Sequence, residues 1–299
     1  MAANARAGGF ASGVAVERPG GSTSRSMAPS TSAGTVTALN SRAPRYHREV
    51  HLAPYAEVSA LAAVLLAIVA RATGAVTTLG AVVGVGIGCG VAAGFGAAGF
   101  LALGTFFVAG SLLTRIGWKT KTARGAAEAT GGARDARRVV GKGAVAAALG
   151  VAVAMGGPPA ALQLAFAGAL AAALADTAGT EIGTLSASSP RTLPSLRVVA
   201  HGTPGAVSMS GLLGSLFGAV VIAIAVGQLG AVDIGLRATT VFALCVVALA
   251  GFTAALLESL VVGIAPSVRS FKGWVRNLFT TAAGAALALL AAPFMAAAQ

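Results

Sequence analysis

Two acids stand where an apolar segment ends. In ALADTAGTEIGTLSASSP, residues 173–190, Asp176 and Glu181 follow a long run of alanine and leucine, in a chain with nine carboxylates against 21 basic residues and a net charge of +12. A carboxylate at the edge of hydrocarbon is costly unless it is paired or holds a cation. A spacing of five places two residues about 140° apart on an ideal helix, so an unbroken helix would not aim both at one ion. Gly179 and Gly183 allow the helix to break there. The expectation is therefore a broken helix end at which Asp176 and Glu181 converge as metal ligands. The plainer alternative is that Asp176 only caps the helix or pairs with a loop arginine.

Two further segments carry groups that suit phosphate. VVAHGTPGAVSMSGLLGS, residues 198–215, is rich in Gly, Ser and Thr and leads into an apolar run. Such a loop offers backbone N–H groups, hydroxyls such as Thr203 and Ser208, and the positive end of a helix dipole. It lacks the order of a Walker loop, and its Gly211-x-x-Gly214 spacing is equally what packed membrane helices use. His201 is either a donor at this site or a solvated loop residue. The loop RIGWKTKTARGAAEATGGARDARRVVGK, residues 115–142, holds Arg115, Lys119, Lys121, Arg124, Arg134, Arg137, Arg138 and Lys142. These charges suit anionic lipid headgroups without any chemistry. With Ser111 and Thr114 just before them, and Asp135 among them, they also suit a polyphosphate carried with Mg²⁺ or Mn²⁺. No nucleic-acid partner is expected.

The elements that must position these groups cross a membrane. Of 299 residues, 56% are hydrophobic and 10% charged, with a mean hydropathy of +0.82, against about 25% charged in soluble proteins. The apolar runs predict an all-α, polytopic helix bundle with eight spans, at 56–72, 77–93, 97–114, 143–156, 159–176, 206–227, 238–262 and 276–296. Basic loops stay on the cytoplasmic or stromal side. With eight spans, loops 115–142, 177–204 and 263–275 share that face, while 228–237 and both ends of the membrane domain (56–299) lie opposite. Residues 1–55 carry six arginines, many hydroxyls and only Glu17 and Glu49. That composition fits a disordered leader, read as a plastid transit peptide or else a disordered cytosolic tail. Cys89 and Cys245 lie in apolar runs without metal spacing, so neither a disulfide framework nor a zinc site is expected.

FFVAGSLLTRIG (106–117), RDARRVVGKGA (134–144), ADTAGTEIGTLS (175–186), PRTLPSLRVVAHGTPGAVSMSG (190–211) and the late LLESLVVG with Asn277 occur in one order. In these blocks the chain resembles the transmembrane-protein-19-like integral membrane family, whose plant members are chloroplast phytyl-phosphate kinases of tocopherol synthesis. The resemblance spans about residues 75–295. It implies phosphoryl transfer from a nucleoside triphosphate, with CTP the expected donor, to an isoprenyl monophosphate in the chloroplast envelope. The implied site comprises Ser111, Thr114, Arg134, Asp135, Asp176, Thr177, Glu181, Gly202, Thr203 and Gly205, with Glu258, Ser259 and Asn277 from the late block. The family usually has Gln and Asn in the segment of Arg138 and Lys142, and Asp in place of Glu258. A kinase acting on the free alcohol, a transporter with intramembrane carboxylates and a non-catalytic scaffold are the other classes. The aspartate-rich motifs of membrane prenyltransferases and the Asp/Gly/Arg signature of alcohol phosphotransferases are both missing.

Overall fold

Helices account for about three-quarters of residues 52–53, 55–127, 131–228 and 237–297, the part of the chain that the computed structural model describes. In order they are α1 (Ala56–Ala72), α2 (Thr78–Arg115), α3 (Trp118–Ala123), α4 (Ala136–Ala154), α5 (Pro159–Gly183), α6 (Met209–Gln228), α7 (Arg237–Ile264), α8 (Gly273–Leu290) and α9 (Ala292–Ala297). A 3-10 turn, Pro266–Ser270, precedes α8, and two short strands, β1 (Arg191–Thr192) and β2 (Ala206–Val207), pair antiparallel in the α5–α6 connection. Among the described residues, five helical stretches are long and apolar enough to cross a membrane: Thr78–Arg115, Pro159–Gly183, Met209–Gln228, Val241–Ile264 and Gly273–Phe294. Large apolar side chains are turned outward, as with Leu61, Leu65, Ile68 and Val69 on α1, which in this chain is the surface that meets lipid. The fold is an all-α, multi-pass membrane bundle. The leader and most of the 228–237 loop lie outside the described residues.

The second and third expected spans are the two limbs of α2. Gly96 has φ 58° and ψ −150°, a conformation open essentially to glycine alone, and it divides the helix into 78–95 and 97–115. Twelve residues of continuous helix rise about 18 Å, yet a Cβ added at Gly88 would lie 3.5 Å from the ring of Phe100. The limbs are therefore folded against each other as a hairpin. The first limb runs along α4, where Gly94 and Gly150 approach so closely that an added Cβ would sit 2.0 Å from the Gly150 carbonyl oxygen.

Two expectations are corrected. The short span 143–156 belongs to α4, which begins two turns earlier because Asp135 caps it, its carboxylate accepting from the backbone N–H of Arg138. Arg137, Arg138 and Lys142 are thus helical rather than part of a loop. The span 159–176 does not break at Gly179. α5 continues to Gly183, and its glycines serve close packing: a Cβ at Gly179 would meet Ser215 and Gly211 of α6. The same helix touches α2, α4, α6, α7 and α8 and is buried continuously from Leu164 to Ala175. Small residues make this approach feasible, and a Cβ at Gly168 would lie 2.4 Å from the carbonyl oxygen of Gly284 on α8.

Candidate active site

The polar ends of the helices meet around a cavity of about 570 Å³. α4 contributes Asp135, its N-cap, with Arg137, Arg138 and Lys142. From α5 come Asp176, Thr177, Thr180 and Glu181, and from α7 come Glu258 and Ser259. The α5–α6 connection supplies His201, Gly202, Thr203, Gly205 and Ser208, while Lys272, Trp274, Arg276 and Asn277 come from the start of α8. The N-terminal ends of α4, α6 and α8 open on this space, and those of α4 and α8 carry its basic side chains. The later turns of α5 and α7 carry Asp176, Glu181 and Glu258. One wall is thus cationic, reinforced by helix dipoles, and the other is carboxylate-bearing.

Each of those three helix carboxylates already has a cation. Lys142 donates to Asp176 Oδ2 and, at 3.2 Å, to the carbonyl of Ala173. Arg276 Nε lies 3.2 Å from Glu258 Oε1. Asp176, Lys142 and Arg276 all lie within electrostatic reach of Glu258, so α4, α5, α7 and α8 share one charge network. Glu181 differs from these. Its Oε2 accepts from Lys121 Nζ at 2.6 Å, and Lys121, 1% exposed, gives its other protons to the carbonyls of Leu113 and Thr114 at 2.8 and 3.3 Å. All three protons of that ammonium are used. The pair ties α3 and the end of α2 to α5.

The sequence-derived candidates therefore divide. Asp135, Asp176, Thr177, Glu181, Gly202, Thr203, Gly205, Ser208, Glu258, Ser259 and Asn277 line the cavity. Ser111, Thr114, Arg115, Lys119, Lys121 and Arg134 do not. Thr114 is buried and donates to the carbonyl of Gly110 at 2.9 Å, and Arg115 donates to the carbonyl of Thr73 at 2.7 Å. Lys119 is exposed. Arg134 stacks over Phe106 and Phe107, 5.4 and 5.6 Å from the ring centroids. The expected convergence of Asp176 and Glu181 at a helix break does not occur, because α5 is unbroken and each acid faces a different lysine.

The sequence places Arg138 and Lys142 only within a basic loop suited to polyphosphate or lipid headgroups, and it singles out none of Thr180, Lys272, Trp274 and Arg276. Their signal was present in part: Arg138 and Lys142 follow Asp135 at the i+3 and i+7 positions of one helical face. The backbone of the glycine-rich connection is held by packing. Gly205, at φ +74°, lies where a Cβ would stand 2.7 Å from Val262 of α7. Ser208 caps α6 by accepting from the N–H of Gly211 at 3.1 Å. Two buried polar atoms of cavity residues, Nδ1 of His201 and Nε1 of Trp274, have no protein partner, which leaves donors or acceptors for a ligand.

The family described as "Integral membrane protein DUF92" matches residues 61–265, a stretch that contains most of this cavity. An uncharacterized membrane protein of the cyanobacterium Synechocystis is 30% identical over 197 residues, covering 64% of this chain and 72% of the relative. No solved structure matches the chain.

Proposed function

The chain belongs to the integral membrane DUF92 family, and from that membership and the charged cavity we propose that it transfers a phosphoryl group from a nucleoside triphosphate, CTP being the expected donor, to an isoprenyl monophosphate. The observation that carries this is the two-sided cavity. Its basic wall, Arg137, Arg138, Lys142, Lys272 and Arg276, faces Asp176 and Glu258 at one end of an apolar bundle. Polyphosphate needs the first wall, a divalent cation needs the second, and a lipid acceptor needs the bundle.

In the transfer an oxygen of the acceptor phosphate attacks the donor's terminal phosphorus. The bond from that phosphorus to its bridging oxygen breaks, and a nucleoside diphosphate leaves. A phosphate monoester has a second pKa near 6, so the acceptor arrives largely dianionic and needs no strong base. Positioning and charge neutralisation carry the rate. Arg138 and Lys142 hold one phosphate, and Lys272 and Arg276 the other, with the backbone N–H groups of Gly202 and Gly205 and the α6 N-terminus as further donors. A Mg²⁺ or Mn²⁺ ion, when bound, offsets charge on the donor phosphates. Asp176 and Glu258 fit such an ion better than Asp176 and Glu181: both line the cavity and lie within electrostatic reach of each other, whereas Glu181 is held by the buried Lys121. Among the described residues no group of three His, Cys, Asp or Glu side chains assembles, and Mg²⁺ on phosphates takes only one or two carboxylates from a protein.

The test is purified protein with Mg²⁺, each nucleoside triphosphate, and phytyl, geranylgeranyl and farnesyl monophosphates beside the free alcohols. Diphosphate product supports the proposal. Turnover of the alcohols alone assigns an alcohol kinase, and liposome uptake without nucleotide turnover assigns a transporter. Placement in the chloroplast envelope is part of the same proposal, resting on the leader's composition. Import of a reporter fused to residues 1–55 tests it.

A further inference from the structure

We propose that the groove between α1, the α2 hairpin and α4 seats the isoprenyl chain of the acceptor, with the phosphate end at Arg138 and Lys142, so that the lipid enters the charged cavity sideways from the hydrocarbon. This rests on the phosphotransferase reading and specifies where its acceptor lies. The groove has a volume of about 90 Å³ and is walled by Ala63 and Ala67 of α1, Gly84 and Gly88 of the first α2 limb, and Phe100 and Leu103 of the second. Its polar residues are Arg134, Arg138 and Lys142, all contributed by α4 and the residues leading into it. Arg138 and Lys142 also line the charged cavity. Two spaces of opposite character therefore share a wall of two cations.

That juxtaposition selects the occupant. A nucleotide has nothing to fill an apolar groove, and a free phosphate would not use it. A bilayer phospholipid brings a second chain and a bulky headgroup to a small space. A single-chain, dianionic lipid phosphate matches both parts, its charge at the shared wall and its first isoprene units between α1 and the hairpin. The remainder of the chain lies among the membrane lipids. Gly84 keeps the groove open, since the nearest atom to an added Cβ there is Val139 Cγ1 at 4.0 Å. Each methylene buried in such a groove strengthens binding about fourfold, so preference for long chains is the expected signature.

The experiment compares kcat/KM for farnesyl phosphate and isopentenyl phosphate in the wild type, Gly84→Leu and Gly86→Leu. Gly86 lies outside the groove and an added Cβ there meets nothing within 4 Å. The long-to-short ratio should fall about tenfold or more in Gly84→Leu, while Gly86→Leu keeps the wild-type ratio. Ala67→Leu, on the facing helix, is the second variant should Gly84→Leu not fold. An unchanged ratio in a folded groove variant overturns the proposal while leaving phosphoryl transfer intact. If the wild type forms no diphosphate, the parent reading fails, and photo-crosslinking with a diazirine-bearing farnesyl phosphate still decides the groove. Labelling of α1 and α2 displaced by farnesyl phosphate, but not by farnesol or phospholipid, supports it. Labelling elsewhere, or equal displacement by those neutral or two-chain lipids, overturns it.

Discussion

Glu181 and Asp176 each face a lysine, and what surrounds the pair decides what the acid does. Lys121 is sealed, with every proton of its ammonium used, and it anchors Glu181 at the edge of the cavity. Removing one partner leaves a charge uncompensated in the interior, so Lys121→Met or Glu181→Gln should each cost about 3–5 kcal/mol. The double variant should unfold later than either single one, a comparison that thermal unfolding in detergent reads directly. Asp176 and Glu258 also border the cavity, but they share neighbouring cations rather than one buried lysine. Asp176→Asn and Glu258→Gln should each reduce turnover per folded molecule by about 10²-fold or more, the scale for removing a positioned electrostatic group. Activity and melting temperature on one preparation separate the two classes, and wild-type turnover in both variants would remove these acids from the chemistry.

Among the elements, the α2 hairpin depends on one backbone conformation. Gly96→Ala places a side chain at φ 58°, ψ −150° and should destabilise the protein by about 1–3 kcal/mol. Gly86→Ala, in helical backbone with open space around the added methyl, should instead be neutral or stabilising by up to about 1 kcal/mol; equal melting shifts in the two would argue against strain at Gly96. The apolar runs made the spans legible, because length and hydropathy alone identify a membrane helix. The start of α4 was not, because Arg137, Arg138 and Lys142 lower its hydropathy and hide the helix that Asp135 caps. The end of α5 was misread for another reason. Gly179 and Gly183 permit a break as readily as close packing, and only the facing Ser215 and Gly211 of α6 decide between these uses. The lysine partners of Asp176 and Glu181 lie 34 and 60 residues away, beyond what any local spacing encodes.

At the scale of the molecule, Lys121 meets Glu181, Lys142 meets Asp176, and a Cβ at Gly205 would meet Ser259 and Val262, so these connections gather at one end of the bundle. In a background without Cys89 and Cys245, single cysteines at Lys119, Ser188 and Ser267 should react with an impermeant maleimide from the same side, and one at Met155 from the other. Labelling of the first three from opposite sides would contradict a single-ended site. The enclosure of α5 also bears on how the protein is made. Of the five candidate spans it has the lowest mean hydropathy and the largest enclosed share, 67%. Protein rather than lipid surrounds it, so alanine and glycine suffice where other spans carry leucine and valine. Such a segment gains little by leaving an insertion channel alone. Its retention in the bilayer has to wait for its neighbours, chiefly α6, whose glycines close on it. Substitutions along that seam would first be felt during biosynthesis, as chains that fail to integrate and are degraded before any defect at the cavity can be expressed.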